Sequence, residues 1–170
     1  MFYYIYVRAS ISCTPQQWNG SFFVRTSLRD LGLIVQLGHQ GKPCPFLGRV
    51  LDDFTVVHTN GIHAVRVRFC TCYGEHSQPK FQLLRCSWLP ASTGQPQTAF
   101  TFKVLNAYHL LSLQGKISRE DYYRSVSRHT DNTGLDPPKA CNYTASEYPK
   151  LTLQRIGILN FPALSGYGNI

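Results

Sequence analysis

The sequence has 170 residues and a mass of 19.3 kDa, the size of one domain with or without tails. Apolar residues at 43% suffice for a core and argue against global disorder, while a charged share of 15%, against a usual value of about 25%, excludes a coiled coil. Seventeen Lys and Arg against nine Asp and Glu leave a net charge of +8, which suits a polyanionic partner, although the basic residues are scattered and simple solubility is the bland alternative.

Residues 1–17 read as a leader without a clear period. Its apolar opening lacks a basic n-region and is interrupted by Arg8, so it makes a poor secretory signal, and the cysteines are expected to be reduced. No apolar run is long enough for a bilayer-spanning helix, and no membrane partner is expected. Asn19-Gly20 is a turn signal, with a strand beginning at Phe22, Phe23 and Val24. Leu31 to Leu37 is a second strand candidate, ended by Gly38 and the Gly41, Pro43 and Pro45 cluster. Phe54 to Val57 and Ile62 to Phe69 flank Asn60-Gly61, the mark of a tight hairpin. Phe81 to Trp88 suits either a strand or a short helix. From Thr98 to Gln114, Phe100, Val104, Ala107 and Leu111 recur at helical spacing, with Thr98 as N-cap and Gly115 as the stop. Ser118 opens a second helix with Glu120 and Asp121 in its first turn, and its apolar face is Tyr122, Tyr123 and Val126. After Thr130 the period is lost among prolines and glycines.

Six cysteines and six histidines are present. Cys13, Cys86 and Cys141 stand alone, whereas His39 with Cys44, and Cys70 with Cys72, form two tight pairs on separate segments. Tetrahedral zinc needs two such chelating pairs, brought together by the fold. The glycines and prolines around His39 and Cys44 allow a tight loop to aim an imidazole and a thiolate at one point. Cys70-Thr71-Cys72 ends a strand, where residues two apart share a face at a separation of about 6.6 Å and a disulfide would be strained. Strand parity puts Arg66, Arg68 and Cys70 on one face and His63, Val65, Val67 and Phe69 on the other, so His63 reads as a half-buried core histidine. His58 and His76 are substitutes for a ligand if the strand carries a bulge. One His and three thiolates around a divalent zinc carry a net −1, which the neighbouring arginines would stabilise. The same cysteines also fit the alternative of reduced core thiols, and three disulfides remain a further arrangement.

The order of the words along the chain carries a resemblance. Trp18-Asn19-Gly20-Ser21-Phe22-Phe23, Arg25 to Leu33, Gln36-Leu37-Gly38-His39 with Cys44-Pro45, Asn60-Gly61-Ile62-His63, Val67 to Cys72, Gln82-Leu83-Leu84-Arg85, Trp88-Leu89-Pro90-Ala91, Thr98 to Phe102 and Asp131-Asn132-Thr133-Gly134 follow one another. Together they resemble the CxC-type cysteine-cluster domain associated with KDZ (Kyakuja-Dileera-Zisupton) transposases, over roughly residues 16–135. The resemblance implies a zinc cluster at His39, Cys44, Cys70 and Cys72, a role in assisting the binding of DNA or of protein partners, and a nuclear location. It also implies a further Cys and His run ahead of the Trp-Asn-Gly motif, for which this sequence offers only Cys13, and a downstream catalytic region, which is missing here. The chain therefore reads as a truncated or remnant member.

An enzyme is not expected. Two-metal phosphoryl transfer needs converging carboxylates, whereas Asp52-Asp53 reads as a solvated turn and Glu120-Asp121 as a helix cap. A Cys70–His63 nucleophile would have to reach across opposite strand faces, and no phosphate-binding glycine loop is present. Two functions remain: a module binding DNA phosphates through Arg66, Arg68, Arg85, Lys103, Arg124 and Arg128, or a module binding protein, either another copy or a transposase, through its aromatic surface. A remnant without retained function is the third alternative. The expected fold is α+β: a small antiparallel sheet stapled by one zinc over residues 18–135, followed by two helices, with residues 136–170 as a poorly ordered tail.

Overall fold

The structure, a computed structural model, describes residues 4–5, 15–39, 44–72, 78–92 and 94–131. Its strands are β1 (Tyr4–Ile5), β2 (Gln16–Trp18), β3 (Phe23–Arg25), β4 (Ile34–Gln36), β5 (Leu47–His58), β6 (Gly61–Cys70), β7 (Trp88–Pro90) and β8 (Thr98–Thr101). Its helices are α1 (Pro79–Arg85), α2 (Phe102–Gly115) and α3 (Arg119–Thr130). The α+β class holds. Cys13, His76, Cys141 and the 136–170 tail lie outside the described residues.

The hairpin signal at Asn60-Gly61 is borne out by β5 and β6, which pair antiparallel from His58↔Gly61 to Leu47↔Cys70. The loop residues are Thr59 and Asn60, one position earlier than the dipeptide suggests. Gly61 has φ +141° and lies so close to α3 that an added Cβ would fall 2.6 Å from Thr130 Oγ1, so a side chain there would be strained and would displace the Thr130 hydroxyl. Register shifts between Leu47 and Val50 and between Leu51 and Phe54 mark two bulges. The second carries Asp52 and Asp53, which are therefore strand residues rather than a turn; Asp52 reaches Arg66 and Asp53 reaches Arg29.

A small antiparallel sheet is present as the β2–β3 ribbon, apart from the sheet that carries the His/Cys group; its four-residue connection is closed by Asn19 Oδ1 accepting from the Ser21 and Phe22 amides, both at 2.9 Å. The main sheet is larger and mixed, in the order β1-β4-β6-β5-β8-β7, with β1/β4, β4/β6 and β5/β8 parallel. Alternation along a strand reports burial and not which strand lies alongside, so these crossovers leave no local trace.

The two faces of the sheet are covered separately. Phe54, Val56, Val65 and Val67 point to one side, where Leu28, Leu33, Leu37 and α1's Leu83 complete a core. The neighbouring Val57 and Ile62 point to the other, where α2's Val104 and α3's Val126 meet them. Residues 81–88, ambiguous in sequence, divide into α1 and the start of β7. The helix expected from Thr98 starts later: Thr98–Thr101 pairs with β5 as a parallel strand, and Thr101 caps α2 by accepting from the Val104 amide. β-branched and aromatic residues at 98–101 favour the strand, and Phe100 is apolar for that reason. α3 begins as expected at Ser118, whose hydroxyl accepts from the Asp121 amide at 3.1 Å. Among the described residues no helix is long and apolar enough to cross a membrane.

Candidate metal centre

The sheet order builds the site. The chain leaves β4 on one side of β6 and enters β5 on the other, and the described residues on both sides of that connection, His39 and Cys44, come to the end of β6, where Cys70 sits. Leu37 still donates to the Arg68 carbonyl at 2.9 Å, and Gly38 then turns with φ +84°. A Cβ at Gly38 would lie 2.7 Å from Cys70 Cβ, so only glycine admits this approach. His39 follows, itself at φ +50°, and its ring swings over the strand end. Cys44 returns from the far side of the loop, with its Sγ 2.9 Å from the Phe46 carbonyl. That carbonyl also accepts from the Thr71 amide and hydroxyl, which joins the loop to the chain just beyond β6.

His39, Cys44, Cys70 and Cys72 thus present four ligand atoms, all within 4.8 Å of one another. His39 Nε2 lies 3.2 Å from Cys70 Sγ and 3.3 Å from Cys72 Sγ; Cys44 Sγ lies 3.3 Å from Cys70 Sγ and 3.7 Å from Cys72 Sγ. Tetrahedral bonds of about 2.3 Å to sulfur and 2.0–2.1 Å to nitrogen imply edges of about 3.8 and 3.6 Å, so these four distances come within about half an ångström of the edges of a single-ion cage. None of its cysteines is in a disulfide. The expected ligand quartet is brought together as a group able to hold a metal ion.

Electrostatics follow from the enclosure. Burial pushes the Cys44 thiol up to about 11, and its hydrogen bond to Cys70 adds to the effect. Burial works the same way on Cys70, but the Cys72 amide, at 3.3 Å from its sulfur, and the Cys72 and Cys44 thiols outweigh it and hold Cys70 below the usual thiol range. Cys70 is thus the more acidic of these two buried thiols, and a divalent cation bound among the sulfurs would favour their thiolate forms. The donor set and its spacing suit a divalent metal ion.

Gln82 is the supporting residue that sequence reasoning missed. Fully buried on α1, it accepts from the Cys70 amide at 2.8 Å and donates to the Cys70 carbonyl at 2.9 Å, acting as the missing strand neighbour. Its signal was a polar residue between Phe81 and Leu83 on an otherwise apolar stretch. His63, expected in the core, is buried at the opposite end of β6, seven residues from Cys70, or about 23 Å along a strand. It pairs with Asn60 Oδ1 at 3.0 Å and cannot act with Cys70. His58, the substitute ligand, is buried beside it at the hairpin turn.

The six basic candidates are dispersed. Arg66 and Arg68 lie half-buried on β6, with Arg66 Nε 3.0 Å from Asp52. Arg85 is exposed on α1, on the sheet face opposite to α2 and α3, while Lys103 is exposed on α2. Arg124 and Arg128 are exposed one turn apart on α3.

Comparison with known proteins agrees with this geometry. No curated protein and no solved structure matches the chain. Residues 28–134, more than half of the sequence, match the family model described as a CxC2-like cysteine cluster associated with KDZ transposases, which is a cysteine cluster and not a catalytic region. All four clustered side chains fall inside that span, and the chain belongs to this family of KDZ-transposase-associated cysteine clusters.

Proposed function

We propose that this chain is a non-catalytic zinc-binding domain of transposase origin that assists DNA binding, in the nucleus. The observation that carries the reading is the convergence of His39, Cys44, Cys70 and Cys72 from two segments on one point. The ion is structural: all four positions are protein ligands, so no open coordination site is left for a substrate or an activated water. It ties the 37–46 loop to the end of β6, and an apparent binding energy of order 10–16 kcal/mol is available to stabilise the fold. A charge of +8, with Arg124 and Arg128 on the solvent side of α3, supports contact with a phosphate backbone.

A second reading, a protein-binding module, rests on the β2–β3 ribbon, where Trp18, Phe22 and Phe23 are 55%, 62% and 64% exposed. The metal assignment is tested by zinc analysis of the purified chain and of Cys70→Ser. One equivalent in the parent and a marked loss in the variant are expected; a stoichiometric content unchanged by the substitution removes Cys70 from the ligand set.

A further inference from the structure

The β2–β3 ribbon turns its largest rings outward. Trp18, Phe22 and Phe23 are each more than half exposed, on a ribbon that takes no place in the main sheet. Isolated apolar side chains are ordinary surface, but three large rings within one short hairpin form a patch that a partner can use. Register decides what lies beside them. Gln16 pairs with Arg25 and Trp18 with Phe23, so these four side chains share one face of the ribbon. On that face the Trp18 and Phe23 rings stand 5.1 Å apart between centroids, inclined at 59°. Arg25 lies two residues beyond Phe23, about 6.6–6.8 Å along the strand. Its guanidinium donates to the His129 carbonyl at 3.2 Å, which holds the ribbon against the last turn of α3 and leaves the arginine's charge unneutralised by that contact. The same turn carries Arg128, with Arg124 one turn earlier. Residues 15–26 and 122–131 together set Arg25, Arg124 and Arg128 against one acid, Asp131.

We propose that this face of the ribbon is a stacking platform for the unpaired bases of single-stranded DNA, with the arginines at the end of α3 meeting the phosphates. The proposal rests on the DNA-binding reading and narrows its substrate. Every base has a π-face, so exposed Trp and Phe rings accept any of them. In a duplex those faces are covered by neighbouring bases, and the ribbon would gain nothing from its rings. A protein partner suits the ribbon less well, because a stable interface takes about 800 Å² and 20–30 residues from each side, and the ribbon runs only from Gln16 to Arg25.

The test measures binding of the full chain to a fluorescent oligothymidine of about 16 nucleotides and to a duplex of the same length, by anisotropy at one low salt concentration. Tighter binding of the single strand is expected. Trp18→Ala with Phe23→Ala should weaken it about tenfold or more while changing duplex binding by less than about twofold. Because Trp88 is buried and Trp18 exposed, oligothymidine should also quench the parent's tryptophan emission and leave that of Trp18→Phe nearly unchanged. A double variant that holds oligothymidine as the parent does, or that loses both DNAs equally, overturns the platform and leaves the DNA-binding reading standing. Failure of the parent to bind either DNA overturns that reading and the platform with it. A parent dimer that the double variant dissolves, with oligothymidine binding intact, overturns the platform in favour of a second copy.

Discussion

Gln82 grips Cys70 by both of its backbone groups, accepting from the amide at 2.8 Å and donating to the carbonyl at 2.9 Å. β6 ends here, and a strand end this deeply enclosed would otherwise leave a donor and an acceptor without partners. A single glutamine from a seven-residue helix supplies both and fixes the position of the Cys70 sulfur. Gln82→Leu is expected to cost about 2–5 kcal/mol, one desolvation penalty for each orphaned group, and to speed loss of metal to a chelator. Denaturant titration and chelator-competition rates check this; a variant as stable and as retentive as the parent would remove Gln82 from the support of the site.

Gly38 and Gly20 form a built-in comparison. Both have positive φ, +84° and +101°, but a Cβ at Gly38 would meet Cys70 Cβ at 2.7 Å while one at Gly20 would meet nothing within 4 Å. Gly20→Ala should therefore cost about 1 kcal/mol from backbone strain alone, and Gly38→Ala several-fold more together with a loss of metal affinity. Equal costs for the two would show that the Gly38–Cys70 approach is not a constraint.

How much of this is legible in sequence depends on whether a feature is local. The His39–Cys44 and Cys70–Cys72 pairs, the β5–β6 hairpin, the burial of His63 and the Ser118 cap are all legible, because each depends on neighbours within a few residues. The mixed sheet is not, because it depends on β4 and β8 lying parallel to strands distant in sequence. Thr98–Thr101 reads as helix in sequence because Phe100 and Val104 are four apart, a spacing that a strand followed directly by a helix reproduces by coincidence. Gln82's role needs the end of β6 to be placed against α1.

His63 gives the fold a pH dependence independent of the metal. Burial, then the neighbouring His58 and Arg25, lower its pKa from 6.5 to about 4, and burial lowers that of His58 as well. The unfolded chain therefore takes up the proton first as pH falls, so the stability contributed by neutral His63 is complete above pH 6.5 and is lost between about 6.5 and 4. Its size is at most about 3 kcal/mol. Denaturation of parent and His63→Gln across this range should show a shallower slope in the variant; identical slopes would contradict the assignment.

If α3 meets DNA phosphates, binding must weaken steeply with salt, and replacing Arg124 and Arg128 by Gln should flatten the log–log salt dependence by about 0.9 for each phosphate no longer neutralised. Gel-shift titrations at two salt concentrations measure both effects. No retardation at low salt, with dimers seen by light scattering, would favour the protein-binding reading through the aromatic ribbon.

X-ray absorption at the zinc edge of the purified full chain tests the central claim most directly. Three sulfur neighbours at about 2.3 Å and one nitrogen at about 2.0–2.1 Å are predicted. Zinc surrounded chiefly by oxygen and nitrogen, or a folded chain that retains no metal, would contradict it.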